Sequence, residues 1–338
     1  MDFTFMRLTA IRLLAISGVG LSTAYGAVIV TPLSNTSPAS AAALVNSLLS
    51  STPNLSIVAG SALYSGQATA SGTFANGGTG PTGVGLDSGV LLTTGDARFL
   101  SSSALFAGDD PNKDGGFTAG VGNSLTPNNA PGNARFNSLT PESTFNASIL
   151  TFSFVPQGST LTLQLVFASE DYNDLVNSGF PTDVFGVFLN GVNYAWVPGT
   201  LTPISASSIN CGGPTNLPAP NVGGQNCGLY RDNAPFSGSI SSEIDGFTVP
   251  ISLSIPVNFG VPNTITIGIA DTFDSAGDSA LLLAGGSLSV RESAAVPEPS
   301  TVALMLVGIL GMAHFTRRRG KGASRSNMRL PPASVSAT

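Results

Sequence analysis

Residues 150–167 read LTFSFVPQGSTLTLQLVF. Leu150, Phe152 and Phe154 alternate with Thr151 and Ser153, Gln157-Gly158 supplies a turn, and Leu161, Leu163, Leu165 and Phe167 resume the alternation. A period of two places all the apolar side chains of such a run on one face, so the stretch predicts two half-buried strands. The same period returns in Ile251, Leu253 and Ile255, in Ile265, Ile267 and Ile269, and in Leu281 and Leu283. Pro250 and Pro256 cannot donate to a strand ladder and belong at strand ends or on an edge. Val184–Leu189 and Tyr194–Val197 flank Asn190-Gly191, a pair that tolerates the left-handed conformations of a type I′ hairpin.

Upstream the period changes. Ser37-Pro38 reads as an N-cap followed by a first helical residue, and Ala41, Leu44, Val45, Leu48 and Leu49 fall on one helical face. Little else is helical, and the chain holds 40 glycines and 23 prolines among its 338 residues. The expected fold is mainly β, a β-sandwich or jelly roll with one short N-terminal helix. No internal repeat and no clear linker precede Arg291.

Within residues 27–296 five basic residues (Arg98, Lys113, Arg135, Arg231 and Arg291) stand against 17 acidic ones, a net charge of −12. Such a surface repels phosphate backbones, which argues against nucleic acid and admits cations or neutral glycans. The single histidine, His314, lies in the C-terminal tail, so the preceding domain has no Ser-His-Asp or Cys-His catalyst and no His-ligated zinc. Hydrolysis by a carboxylate pair survives that exclusion. Cys211 and Cys227 are the only cysteines and sit in a stretch rich in Gly, Pro and Asn. In an oxidising compartment they are expected to form one disulfide. A redox or metal thiol pair would want Cys-x-x-Cys spacing and a nearby histidine.

Both termini carry addressing signals. Arg7 and Arg12 precede an apolar stretch from Leu13 to Leu21, and Ala24-Tyr25-Gly26 offers small residues to a signal peptidase. Residues 1–26 therefore read as a signal peptide cut between Gly26 and Ala27. At the other end Pro297-Glu298-Pro299 precedes an apolar run from Ser300 to Phe315 and then Arg317-Arg318-Arg319. The prolines stop preceding structure, residues 300–316 can just span a bilayer as a transmembrane helix, and the arginines hold its end in the cytoplasm. This order resembles the PEP-CTERM signal of Gram-negative bacteria, which implies cutting near Pro-Glu-Pro by an exosortase-like membrane protease. The resemblance implies a precursor held in the inner membrane, then release to the cell surface or the extracellular space. Family tails usually stop soon after the basic cluster, whereas residues 320–338 continue here and read as disordered from their polar composition. Cleavage at both ends would leave about 270 residues, enough for one large all-β domain.

Four blocks in the middle of the chain carry a second resemblance. Gly85-Leu86-Asp87-Ser88-Gly89 running on to Asp96, then Ala168-Ser169-Glu170-Asp171-Tyr172, then Asp183-Val184-Phe185-Gly186-Val187-Phe188-Leu189-Asn190-Gly191, then Asp278-Ser279-Ala280, resemble in that order the choice-of-anchor L domain. The resemblance covers roughly residues 28–291, essentially the whole mature chain, and makes residues 27–295 one choice-of-anchor L-like domain. It implies an exported protein carrying a surface-attachment tail, without fixing an activity.

The acidic residues suggest calcium. Glu170, Asp171, Asp174 and Asp183 flank one turn, and Asp271, Asp274 and Asp278 form a second cluster. Hard cations prefer loop oxygens of this kind. Asp110-x-Asn112-x-Asp114-Gly115 has the opening spacing of an EF-hand loop but shows Val121 where the twelfth-position Glu belongs, a weaker candidate. Solvated loops or Asx turns are the plain alternative for all three. Tyr194 and Trp196 could stack on a sugar or simply pack, and Asn35, Asn54 and Asn146 begin Asn-x-Ser/Thr sequons without firm meaning in a bacterium. Two functions remain. One is a non-enzymatic adhesive or structural module of the surface or matrix, calcium-stabilised and with exopolysaccharide as a partner. The other is a glycan hydrolase drawing its carboxylates from Glu170, Asp171 or Asp183. Clustering of the acids in metal-like groups favours the first.

Overall fold

The computed structural model describes residues 28–101, 128–172, 175–212, 223–233, 240, 242 and 244–291. The signal peptide and its Gly26/Ala27 cut, the Asp110–Asn112–Asp114 loop, Asp174, the motif Pro297–Pro299 with Arg317–Arg319, the segment 300–316 and the tail 320–338 lie outside these residues. Among the described residues no helix is long and apolar enough to cross a membrane.

The alternating runs form two layers. The larger sheet is ordered β1 (Ile29–Pro32), β4 (Ser71–Ala75), β5 (Gly89–Thr93), β16 (Ser279–Ala284), β7 (Thr160–Ser169), β13 (Gly246–Thr248) and β12 (Tyr230–Asp232), with β14 (Ile251–Pro256) and β17 (Ser289–Arg291) also on β7. The smaller sheet is ordered β2 (Leu55–Ile57), β6 (Thr144–Pro156), β15 (Asn263–Thr272), β8 (Val184–Leu189) and β9 (Val192–Asn193), with β3 (Leu63–Ser65) also on β6. A separate pair joins β10 (Asn210–Gly212) to β11 (Gly223–Gln225). Among the described residues the strand ladders of both sheets are antiparallel, as in β6–β15, β7–β16 and β7–β14. This is a sandwich.

The core explains the patterning. Leu150, Phe152 and Phe154 of β6 share one buried cluster with Leu161, Leu163, Leu165 and Phe167 of β7. These two runs nevertheless belong to different sheets, so Gln157-Gly158 carries the chain from one layer to the other. The crossing is tied down by Gln157 N–H donating to Asn54 O (2.8 Å) and Ser159 N–H donating to Arg291 O (3.2 Å). Strand β16 is buried on both faces: Leu281 and Leu283 enter the sandwich core, while Ala280, Leu282 and Ala284 pack with Phe74, Val84, Leu86 and Phe247 beneath loops on the outer face. Pro256 ends β14 and Pro250 immediately precedes it, as the missing donors require.

Helix α1 spans Pro38–Leu48 and buries Ala41, Leu44, Val45 and Leu48 in the sandwich core. Ser37 caps it, its Oγ accepting from Ser40 N–H at 3.3 Å. Leu49 is not part of the helical face: it is extended and bridges Leu288 instead. The Asn190-Gly191 turn forms with φ of 49° and 91°, pairing Phe188 with Asn193 and Leu189 with Val192. The expected strand over Tyr194–Val197 does not form. The Asn193 side chain takes over the ladder, its Oδ1 accepting from both Val187 N–H and Ala195 N–H at 3.1 Å, so the second arm ends after two residues. Tyr194 packs against the core, its ring 5.2 Å from that of Trp196, which is the packing reading of these aromatics.

Cys211 and Cys227 form the expected disulfide, Cα atoms 4.6 Å apart, joining β10 to the turn after β11. The loop it closes is short, and the chain-entropy argument assigns it about 3 kcal/mol. Nonreducing digestion should yield one linked peptide pair, and Cys227→Ser should lower unfolding stability by about 2 to 4 kcal/mol in denaturant titrations. Free thiols in freshly exported protein would contradict this pairing.

Candidate functional site

Six strands come together at one end of the sandwich. Strand β7 ends at Ser169 opposite Ser279, the first residue of β16, and β5 ends at Thr93 opposite Ala280. In the other layer β15 ends at Thr272 opposite Thr144, the start of β6, and β8 begins at Val184 opposite Ala270. Acidic residues at or just beyond these ends are buried: Glu170 is 8% exposed, Asp171, Asp183 and Asp278 are each 3% exposed, and Asp271, the penultimate residue of β15, is fully covered.

Asp183 is the junction. Its backbone N–H donates to Asp171 Oδ2 at 2.7 Å. Its Oδ1 accepts from Thr272 N–H at 2.9 Å in the smaller sheet, and its Oδ2 accepts from Ser279 Oγ at 2.7 Å in the larger one. Ser279 Oγ also lies 2.8 Å from Ser169 Oγ, which in turn accepts from Asp171 N–H at 2.9 Å. Thr94 completes the larger-sheet side, its Oγ1 accepting from Ser279 N–H at 2.9 Å.

Asp271 enters through a β-bulge. Pairing of β15 with β6 slips between Ile269 opposite Ser148 and Asp271 opposite Phe145, leaving Asn146 and Ala147 opposite the single residue Ala270. Bulges re-aim side chains, and here Asn146, with a φ of 50°, turns its amide to donate to Asp271 Oδ2 at 2.7 Å. Asn128 supports the bulge by donating to Asn146 O at 2.6 Å. Asn146 is 2% exposed, so the sequon it begins is a structural amide and not a surface acceptor.

Burial dominates the electrostatics. It holds the Asp183 carboxyl well above the ordinary range, and the charges of Asp171 and Asp271 push in the same direction. Asp271 is raised to about 8, again chiefly by burial, with hydrogen bonds from Thr94 and Asn146 opposing the rise. Oδ1 of Asp271 and Oγ1 of Thr272 are buried without hydrogen-bond partners.

Asp171, Asp183 and Asp271 thus form one network, and the other predicted acids take different positions around it. Asp278 alternates to the outer side of the larger sheet, where it lines a cavity of about 10 Å³ with Leu91, Ala280 and Ile244, room for one water. A Cβ on Gly95 would lie 1.9 Å from Asp278 Oδ2, so the carboxylate seats only because residue 95 is glycine. Glu170 is buried beside the network, its N–H donating to Asp278 O at 3.1 Å. Asp274 is exposed, and its Oδ1 accepts from Ala276 N–H at 3.0 Å in an Asx turn. Among the described residues no three His, Cys, Asp or Glu side chains are grouped to hold a metal ion.

Beside the network, an open groove of about 520 Å³ runs between residues 139–141, 175–185 and 203–207. Phe180 stands at its edge, 59% exposed, with its ring 6.4 Å from that of Phe273, itself 54% exposed. Phe273 has a φ of 78°, a left-handed conformation that a bulky residue adopts at a cost of about 1 to 3 kcal/mol. Its N–H donates to Ser143 O at 3.0 Å.

All four sequence blocks meet in this network, through Thr94 of the first, then Ser169 and Asp171, Asp183, and Ser279. The family profile of the Choice-of-anchor L domain matches residues 33–289. The chain belongs to that family. The PEP-CTERM protein-sorting motif matches residues 295–319. No curated protein and no solved structure matches the chain. A choice-of-anchor L domain followed by this motif is exported, processed by an exosortase-type membrane protein, and sorted through the membrane to the cell surface or extracellular space of a Gram-negative bacterium.

The raised carboxyl of Asp271 makes stability depend on pH. The unfolded chain releases that proton near pH 4 and the folded chain keeps it to about 8, so in this window the folded state binds more protons and stability falls as pH rises. In chelator, thermal unfolding should show stability dropping from about pH 4 to about pH 8, by at most about 1.4 kcal/mol per pH unit for one such group, then levelling. Asp271→Asn keeps an acceptor for Asn146 and should make the profile shallower, leaving the contribution of the raised Asp183 carboxyl. For the sorting motif, mass spectrometry of the surface form should find no peptide containing Leu306, and Glu298→Ala should leave a membrane-held precursor.

Proposed function

We propose that this choice-of-anchor L domain is a non-enzymatic adhesive or structural module of the cell surface or extracellular matrix, stabilised by calcium at its carboxylate end. The observation that carries the reading is the state of Asp183. A glycosidase pair must flank a glycosidic bond in an accessible cleft, about 5 to 10 Å apart. Both oxygens of Asp183 are instead engaged with Thr272 and Ser279, and Asp171 accepts the Asp183 N–H. With Glu170 also buried, these acids serve to fasten loops to the sheets.

Calcium enters because three interacting carboxyls are buried together and repel one another once ionised. The buried Oδ1 of Asp271 and Oγ1 of Thr272 are oxygens of the kind a hard cation takes. Since no ready-made trio of acidic ligands stands there, such an ion would draw on hydroxyls and backbone carbonyls beside the carboxylates, which calcium's flexible coordination accepts.

Melting curves of the exported protein with calcium and with chelator, at matched ionic strength, test this. At a calcium concentration about a hundredfold above Kd, binding to the native state alone contributes about 2.7 kcal/mol, a shift of several degrees. The shift should grow between pH 5 and 8 as competing protons leave. It should vanish in Asp183→Asn and persist in Asp274→Asn, whose side chain lies outside the network. Identical curves at all pH values would leave protons alone as the occupants and remove calcium from the reading.

A further inference from the structure

We propose that the groove at Phe180 binds a neutral polysaccharide chain, with the ring of Phe180 on the groove and that of Phe273, beside it and outside the lining, as stacking faces. The proposal rests on the reading of the domain as a surface or matrix module and assigns that module its ligand site. Two aromatic rings this exposed, side by side, present flat apolar faces of the kind that pack on the C–H face of a sugar. They are also held in place. Phe273 occupies a left-handed backbone position that glycine would fill without strain, and its N–H is fixed to Ser143 O. Phe180 N–H is fixed by Ser178 Oγ at 3.1 Å.

Charge selects the ligand. Among the described residues the groove lining carries no ionisable side chain, offering Thr140, Asn177, Ser207 and Gln225 instead. Asn177, Ser207 and Gln225 are exposed, so their amides and hydroxyl face solvent where sugar hydroxyls would lie. With 17 acidic against five basic residues the domain as a whole disfavours polyanions, even with several of the acids buried, and a cationic ligand would find its counter-charges elsewhere. What fits is an uncharged, hydroxyl-rich polymer. A volume of about 520 Å³ lies within the ~300–1,000 Å³ range of ligand sites. The floor is rigid as well, because Thr182 Oγ1 and Ser207 Oγ hydrogen-bond at 3.0 Å.

Affinity gel electrophoresis of the purified protein through gels containing dextran, galactomannan or alginate tests the assignment. At least one neutral polymer should retard the protein, and alginate should not. Phe180→Ala and Phe273→Gly should each weaken retardation at least tenfold while leaving the melting temperature within a degree or raising it. Phe259→Ala, an exposed aromatic outside the groove, should bind like the parent. No retardation in any neutral gel, retardation by alginate alone, or unchanged retardation in both phenylalanine variants would overturn the assignment. Self-association that the same two variants abolish, without retardation, would reassign the aromatic pair to a protein contact. Shortening of the polymer would instead overturn the non-enzymatic reading. An intact polymer without retardation, alongside a calcium-dependent melting curve, would remove the groove assignment alone.

Discussion

The carboxylate of Asp183 reaches both layers of the sandwich at once, one oxygen on a backbone N–H of β15 and the other on the first hydroxyl of β16. Its own N–H is held by Asp171 from the loop after β7. Three separate segments therefore meet at one residue. Sheet packing by itself is nondirectional, since apolar faces tolerate small slides, whereas short hydrogen bonds to a carboxyl group fix distance and direction. The network sets how the ends of the two sheets lie against each other, and the loops that leave those ends inherit that geometry.

Such a device is costly in isolation. A carboxylate without compensating donors is strongly disfavoured in an apolar interior, and three within interacting range compound the penalty. The surrounding sequence supplies donors in answer. Ser279, Thr272 N–H, Asn146 and Asp183 N–H are each directed by a strand end or a bulge, and glycine at position 95 leaves space for Asp278. Removing one partner should cost more than one hydrogen bond, because the acceptor left behind stays buried.

Much of the fold was legible because period two and turn chemistry are local. The strands around Leu150–Phe167, the Asn190-Gly191 turn, the Ser37-Pro38 helix start and the disulfide all follow from neighbouring residues. Alternation does not say which sheet a strand joins, so the placement of β6 and β7 in opposite layers could not be read from it. The failed strand at Tyr194–Val197 has a similar origin: a side chain, Asn193, displaced the backbone partners that propensity presumes. In the site, acidic clustering pointed to Asp171, Asp183 and Asp271 but gave no sign of their burial, because loops rich in Asp normally face water. Asn146 was hidden further, behind a sequon, since a bulge register is visible only once β15 is paired. Ser169 and Ser279 lay inside recognisable blocks, and the available signal was their adjacency to Glu170-Asp171 and Asp278.

The network and the groove are built on adjoining residues. Thr182, in the groove floor, immediately precedes Asp183, and Phe273 follows Thr272, whose N–H is bonded to that same carboxylate. The hydrogen bonds of Asp183 thus bear on the backbone next to Thr182 and next to Phe273. If occupancy of one site alters affinity at the other, the effect must be equal in both directions, since both equilibria share the same folded states. In this chain the blocks that carry the family resemblance meet in a buried fastening, with the exposed aromatic residues beside it.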